Sequence, residues 1–234
     1  MKHKKHRLIL FFLLATSLLT CTRAPAHAEE SMGEAVFFGE STTAHLSRRG
    51  GVLDTPEKRG CVWRNESGTE RLSRRILSAS VDLWDSNGIK QTVSLADALK
   101  VARPRRIVLS FGLNGIMGFI ENKDSFTGAY RVLVDGVRKC SPCTEIILQS
   151  VYPVRASDNF SCDTPTLNAH IRTLNGWISE LARAEGLRYA DTASVLRGTD
   201  GALLAKYDVG DGIHLTNEAY KEILAYLQAF IKKG

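Results

Sequence analysis

Ala35-Val36-Phe37-Phe38-Gly39-Glu40-Ser41-Thr42-Thr43 begins with four apolar residues that show no polar alternation, then breaks at a glycine. A strand with one wet face alternates, whereas an unbroken apolar run suits a parallel strand covered on both faces. Ile107 to Phe111 and Ile146 to Val151 repeat the pattern. Between and after these runs the apolar period becomes helical. Phe126, Tyr130, Leu133 and Val137 form one stripe, Leu167, Ile171, Leu174, Ile178 and Leu181 a second, and Tyr220, Ile223, Leu227 and Phe230 a third. Strand alternating with helix predicts an α/β protein with a parallel central sheet.

Shorter elements fit around this frame. Arg188 to Ala190 reads as a further strand, followed by a Gly- and Asp-rich loop that ends at Thr216. Thr216 is a suitable N-cap for the last helix, and Glu218 in its first turn complements the helix dipole. Ala79, Val81 and Leu83 alternate with polar neighbours, and Asn87-Gly88 supplies a turn, so this stretch predicts an inserted hairpin returning through Ile89 to Val93. Without an internal repeat or linker, residues 29–234 read as a single domain.

The first 28 residues read as an address. Lys2, Lys4, Lys5 and Arg7 precede an apolar run from Leu8 to Leu19 that is too short to span a bilayer, and Ala26-His27-Ala28 offers a signal-peptidase site. A mature chain starting at Glu29, exported from the cytoplasm, is expected. Leu18-Leu19-Thr20-Cys21 is the competing reading, with a lipid anchor on Cys21, although Thr20 is bulky for that role. The net charge of +6 resides mostly in this segment, leaving 26 basic against 25 acidic side chains. No basic stripe for nucleic acid remains, and Arg103, Arg105 and Arg106 read as solvated charges before a strand. No later apolar stretch is long enough to cross a membrane.

After export the histidines are His45, His170 and His214, and the cysteines are Cys61, Cys140, Cys143 and Cys162. The Cys140-Ser141-Pro142-Cys143 pair is read as a local bridge or as two free thiols rather than a redox motif. A Cys143–Cys162 bridge is not expected, because the two lie at opposite ends of a strand. Ligand spacing for zinc is missing, and no metal or organic cofactor is called for.

Three groups are candidates for chemistry, each with a structural alternative: an ordinary N-cap at Ser41, a polar turn with an exposed histidine at Asp211 to His214, and an Asn-Gly turn at Asn114. Ser41 follows the first strand at a strand-to-helix turn, where amide N–H groups can hold a developing negative charge. In Asp211-Gly212-Ile213-His214, a carboxylate three residues before a histidine can reach its Nδ1 and turn Nε2 toward a nucleophile, with Gly210 and Gly212 bending the chain. Asn114, in Gly112-Leu113-Asn114-Gly115, carries a neutral amide donor suited to an oxyanion. Each lies past a strand on what should be one edge of the sheet.

From Val36 to the C-terminus, these blocks resemble the SGNH hydrolases, the GDSL esterase and lipase family. The resemblance implies a flavodoxin-like three-layer α/β/α sandwich and a serine esterase acting on acyl-ester substrates, either carbohydrate-linked or small lipid esters. It implies Ser41 as nucleophile, His214 as base, Asp211 as its orienting acid, and an oxyanion hole made by Asn114 and the Ser41 N–H. A third donor is assigned to Gly68 in Trp63-Arg64-Asn65-Glu66-Ser67-Gly68-Thr69, with Gly88 as runner-up. Glu40 stands where the family has Asp, and Gly115 replaces an Asp that often follows the block asparagine. These departures motivate a second class of reading, a binding protein on the same scaffold without turnover; a thioesterase or acyltransferase would use the same triad. His45, one turn after Ser41, is expected to be exposed on the first helix, with pocket lining as the alternative, His170 to be partly buried, and Trp63, Trp84 and Trp177 to serve as core or pocket wall.

Overall fold

The computed structural model describes residues 35–48, 51–55, 58–84, 88–156, 158 and 160–233. The segment expected to direct export, with Cys21, and the turn residues Asp85 and Asn87 lie outside the described residues. Among the described residues, seven strands follow one another: β1 (Ala35–Gly39), β2 (Val62–Trp63), β3 (Ser80–Trp84), β4 (Lys90–Ser94), β5 (Arg106–Ser110), β6 (Glu145–Gln149) and β7 (Arg188–Ala190). Six α-helices accompany them among the described residues: α1 (Ser41–Ala44), α2 (Leu95–Ala102), α3 (Ile116–Phe119), α4 (Lys123–Cys140), α5 (Thr164–Ala184) and α6 (Asn217–Lys232).

Five strands form one parallel sheet in the order β2-β1-β5-β6-β7, and β3 pairs antiparallel with β4 in a separate hairpin. Within the main sheet the second strand lies outside the first and the rest follow on the other side, which is the flavodoxin order. Its topological switch falls between β1 and β5, where a crevice opens outside the carboxyl ends. The register there pairs Phe38 with Leu109 and Gly39 with Ser110.

The unbroken apolar runs now have their explanation. Phe38, Trp63, Leu109 and Leu148 enter one core with α2, α4 and α5, while their neighbours Phe37, Val62, Val108 and Ile147 enter a second core with α6. Both faces of every central strand are dry, so alternation would bury polar side chains. The α/β/α sandwich is thus a consequence of strands with no wet face.

Element ends differ from the sequence expectation in instructive ways. β5 begins at Arg106 and β6 at Glu145, and these two pair across the ladder with Arg106 Nε 2.6 Å from Glu145 Oε2. Arg106 is therefore buried, not a solvated charge, because a partner from the next strand accompanies it into the sheet. Phe111 and Val151, expected at strand ends, lie beyond them. Helices α2 and α3 were not foreseen. Ser94 starts α2 by accepting the Asp97 N–H at 3.1 Å.

Cys61, Cys140 and Cys162 carry free thiols, so the Cys140–Cys143 pair is not closed as a local bridge and Cys143 is not bridged to Cys162. Cys140 ends α4 and packs on the apolar core, whereas Cys162 lies 3.8 Å from the Met117 sulfur. Among the described residues, no helix is long and apolar enough to cross a membrane.

Candidate active site

At the end of β1 the chain runs so close to β5 that a Cβ on Gly39 would collide with Thr43 Oγ1 and the Ser110 carbonyl. Only glycine lets α1 start here. Glu40 occupies the N-cap position of α1 but makes no side-chain cap. Its buried carboxylate reaches across the switch point instead. Oε1 accepts the N–H groups of Gly112 at 2.9 Å and Asn114 at 3.0 Å, and Oε2 accepts that of Leu113 at 3.0 Å. Burial pushes the Glu40 carboxyl up to about 7, against the opposing pull of the Gly112, Asn114 and Leu113 amides and the Arg71 guanidinium. From the other side, the Tyr130 hydroxyl of α4 donates to the Phe111 carbonyl at 2.9 Å and accepts its N–H at 3.0 Å. The loop bearing Asn114 is therefore held from both β1 and α4.

Ser41, the first residue of α1, has its Oγ 3.2 Å from His214 Nε2. Asp211 Oδ2 lies 2.6 Å from His214 Nδ1, while its Oδ1 accepts the His214 N–H at 2.8 Å and the Ile213 N–H at 2.9 Å. Burial disfavours the Asp211 charge, yet the His214 amide, its imidazole and the Ile213 amide outweigh it and hold the carboxyl at about 2. Asp208 performs a similar service one turn earlier, its Oδ1 accepting the Gly210 and Gly212 amides at 2.9 Å each. With positive φ at both glycines, the loop closes into a compact turn that presents His214.

Asn114 Nδ2 donates to the Glu70 carbonyl at 3.2 Å, which orients the amide and leaves its second hydrogen for another acceptor. The Ser41 N–H belongs to the first turn of a helix, where amides lack intrahelical partners. Gly68 lies on the adjacent loop with φ +68°, and its N–H is taken by Asn65, at 2.5 Å from Oδ1 and 3.2 Å from the carbonyl oxygen. Service to an oxyanion requires that bond to be shared or released. Gly88 lies in the β3–β4 connection. Gly115 adopts φ +95°, and the Arg71 guanidinium fills the space that a Cβ there would need.

Sequence reasoning missed three contributors. His45, expected to be exposed, is only partly so, and its ring stacks on that of His214 with centroids 4.4 Å apart and planes at 29°. The signal was its i+4 spacing from Ser41, which puts both on one helical face. Arg71 lies beside Gly115, within the field of Glu40 and 5.7 Å from the centre of the Phe119 ring. Glu40 itself read as a departure, whereas its extra methylene carries the carboxylate to three amides. His170 is partly buried and Trp63 is fully buried, both as expected. Trp177 packs against Phe126. Among the described residues, no group of three His, Cys, Asp or Glu side chains could hold a metal ion.

A serine, histidine and aspartate in hydrogen-bonded series, at the carboxyl edge of a flavodoxin-order sheet and beside a fixed asparagine amide, define the class of acyl hydrolases. The sequence profile of the GDSL-like lipase/acylhydrolase family matches residues 37–222, and the chain belongs to that family, whose members hydrolyse carboxylic esters. Solved structures agree in fold. A GDSL-like lipase from Bacteroides thetaiotaomicron superposes with a TM-score of 0.57 at 20% identity, over 89% of this chain and 93% of that one. A peptidoglycan O-acetylesterase superposes with a TM-score of 0.53 at 11% identity, over 85% of this chain and 90% of that one. Comparison with curated protein sequences returns no match.

Proposed function

We propose that the chain is an exported serine esterase that removes a small acyl group from a carbohydrate or another short-chain ester. The observation that carries this reading is the series Asp211–His214–Ser41, at 2.6 Å and 3.2 Å. In it, His214 Nε2 takes the Ser41 Oγ proton as the oxygen attacks the ester carbonyl. The tetrahedral oxyanion is held by the free Asn114 amide hydrogen and the Ser41 N–H. Collapse returns the proton to the departing alcohol, and water then cleaves the acyl-enzyme by the same route. Asp211, anionic down to about pH 2, keeps the imidazole in the tautomer this needs. The basic, apolar and Ala-x-Ala sequence at residues 1–28 supports export. The same triad would serve a thioesterase or acyltransferase, which an ester panel with added thioesters and alcohol acceptors distinguishes.

A fluorophosphonate probe is expected to label Ser41 covalently in the native protein, and Ser41→Ala to lose both labelling and turnover. His214→Ala should nearly do so, and Asp211→Asn should cost about 10⁴ in rate through the wrong tautomer. Asn114→Ala should reduce kcat by roughly 10² to 10³ while labelling persists. Folded protein that resists the probe and cleaves no ester in a broad panel would leave the binding-protein reading standing. For export, mass spectrometry of the secreted form should find Glu29 at its start, and diacylglycerol on Cys21 would reject that cleavage.

A further inference from the structure

The inserted β3–β4 hairpin and the Asn65–Glu70 loop enclose space that the acyl-transfer step does not use. An open groove of about 610 Å³ runs between them, lined by Asn65, Glu66 and Ser67 from the loop and by Ser80, Lys90 and Thr92 from the hairpin. Asp82 lies at its floor and is shared with a deeper cavity of about 200 Å³, whose walls include Ser47, Asp54, Arg64 and Trp84. The loop ties this space to the reacting centre. Its Glu70 carbonyl accepts the Asn114 amide, its Ser67 carbonyl accepts Arg48 Nη1 at 2.6 Å, and a Cβ on Gly68 would lie 2.9 Å from Ala44 Cβ in α1.

The chemistry of the lining selects its ligand. The described residues that line the groove are all polar or charged, so an acyl chain meets no apolar side chain among them. The Asn65 amide is held by Glu70, Ser67 and Gly68, and Thr92 and Lys90 donate to Asp82, but the Ser67, Ser80 and Thr92 hydroxyl oxygens and the Glu66 carboxylate border the groove as groups that can meet a polyol's hydroxyls. Lys90 and Arg64 are nearly matched by Asp54, Glu66 and Asp82, and Lys90 Nζ lies 3.4 Å from Asp82 Oδ2, so neither a polyanion nor a polycation is favoured. Trp84 and Val62 supply the apolar part of the deeper cavity's lining, beside which the C–H groups of a sugar ring can lie. That cavity holds on the order of ten or more water-sized groups, the scale of one such ring.

We propose that this paired site binds the uncharged oligosaccharide that carries the ester, one ring in the deeper cavity and its neighbour in the groove, so that an acylated hydroxyl is delivered across the Asn65–Glu70 loop to Ser41. The proposal rests on the esterase reading for its catalytic consequence, but saccharide binding is measurable without turnover. Calorimetry on Ser41→Ala protein with xylohexaose, chitohexaose and mannohexaose is expected to show binding of at least one, and Ser80→Trp, which places an indole in the groove from an exposed position, should abolish it. In the active protein, the ratio of kcat/KM on the acetylated form of that saccharide to kcat/KM on p-nitrophenyl acetate should fall roughly tenfold or more in Ser80→Trp, through KM. Trp84→Ala should lower the same ratio. Turnover of p-nitrophenyl acetate with no saccharide bound and an unchanged ratio in Ser80→Trp overturns the glycan site. Saccharide binding by folded protein that neither reacts with the fluorophosphonate nor cleaves p-nitrophenyl acetate overturns the esterase reading and leaves the glycan site standing.

Discussion

Glu40 is where a single side chain sets function against stability. Its folded value of about 7 lies above the ordinary 4.5, so the native state holds a proton that the unfolded chain gives up between those values. The stability this provides is fully present below about pH 4.5 and is lost as pH rises through 7, an effect of about 3 kcal/mol. Urea unfolding at pH 5 and pH 8 should show that loss, and Glu40→Gln should remove it. Activity should move the other way, because only the carboxylate can accept from all three amides of the Gly112–Asn114 loop. Glutamine offers one acceptor and sets an NH₂ against a donor. Glu40→Gln is therefore expected to lower kcat by roughly 10 to 10² through a misplaced Asn114, and Asn114→Ala should cost less in that background than alone. At Gly115, restoring the family's usual aspartate would strain a backbone at φ +95° and displace Arg71, so Gly115→Asp should destabilise by about 1–3 kcal/mol in denaturant titration.

Among the elements, α6 bears most directly on the site, since its N-cap lies two residues after His214. Thr216 Oγ1 accepts the Ala219 N–H at 3.4 Å, and the Tyr220 hydroxyl of the same helix donates to the Thr42 carbonyl of α1 at 2.6 Å. The helix thus spans from His214, the proposed base, to the element that starts at Ser41, the proposed nucleophile. Thr216→Ala should cost about 1 kcal/mol of stability by thermal or chemical unfolding and should lower activity more than stability alone explains. Thr216 was legible as a cap because cap chemistry is local. Helix α2 was not, because its apolar stripe of Leu95, Ala98 and Leu99 is short and follows directly on a strand, so its period is brief. The strand limits at Arg106 and Glu145 were not legible either, because a charge enters a strand only when its partner stands on the next one.

At the scale of the molecule, the two cores share one sheet, and residues one step apart in β1, β5 and β6 belong to opposite cores. Neither core can be lost without exposing the other's strands, so unfolding should be a single transition, with tryptophan fluorescence and far-ultraviolet dichroism coincident in denaturant. A separate earlier transition by either probe would show that the cores are independent. The α/β class and the order of the main elements were readable in the sequence, since dry strands and helical stripes are local patterns, and turn chemistry together with the family resemblance singled out Ser41, Asn114, Asp211 and His214 as candidates. Only the tertiary structure decided that Glu40 supports the Asn114 loop, that His45 stacks on His214, that Asn65 engages the Gly68 N–H, and that the hairpin walls a polar groove. These depend on approaches between segments far apart in the chain, and the physical reason is that a hydrogen-bond donor or a ring carries no mark in the sequence of which distant partner the fold will bring to it.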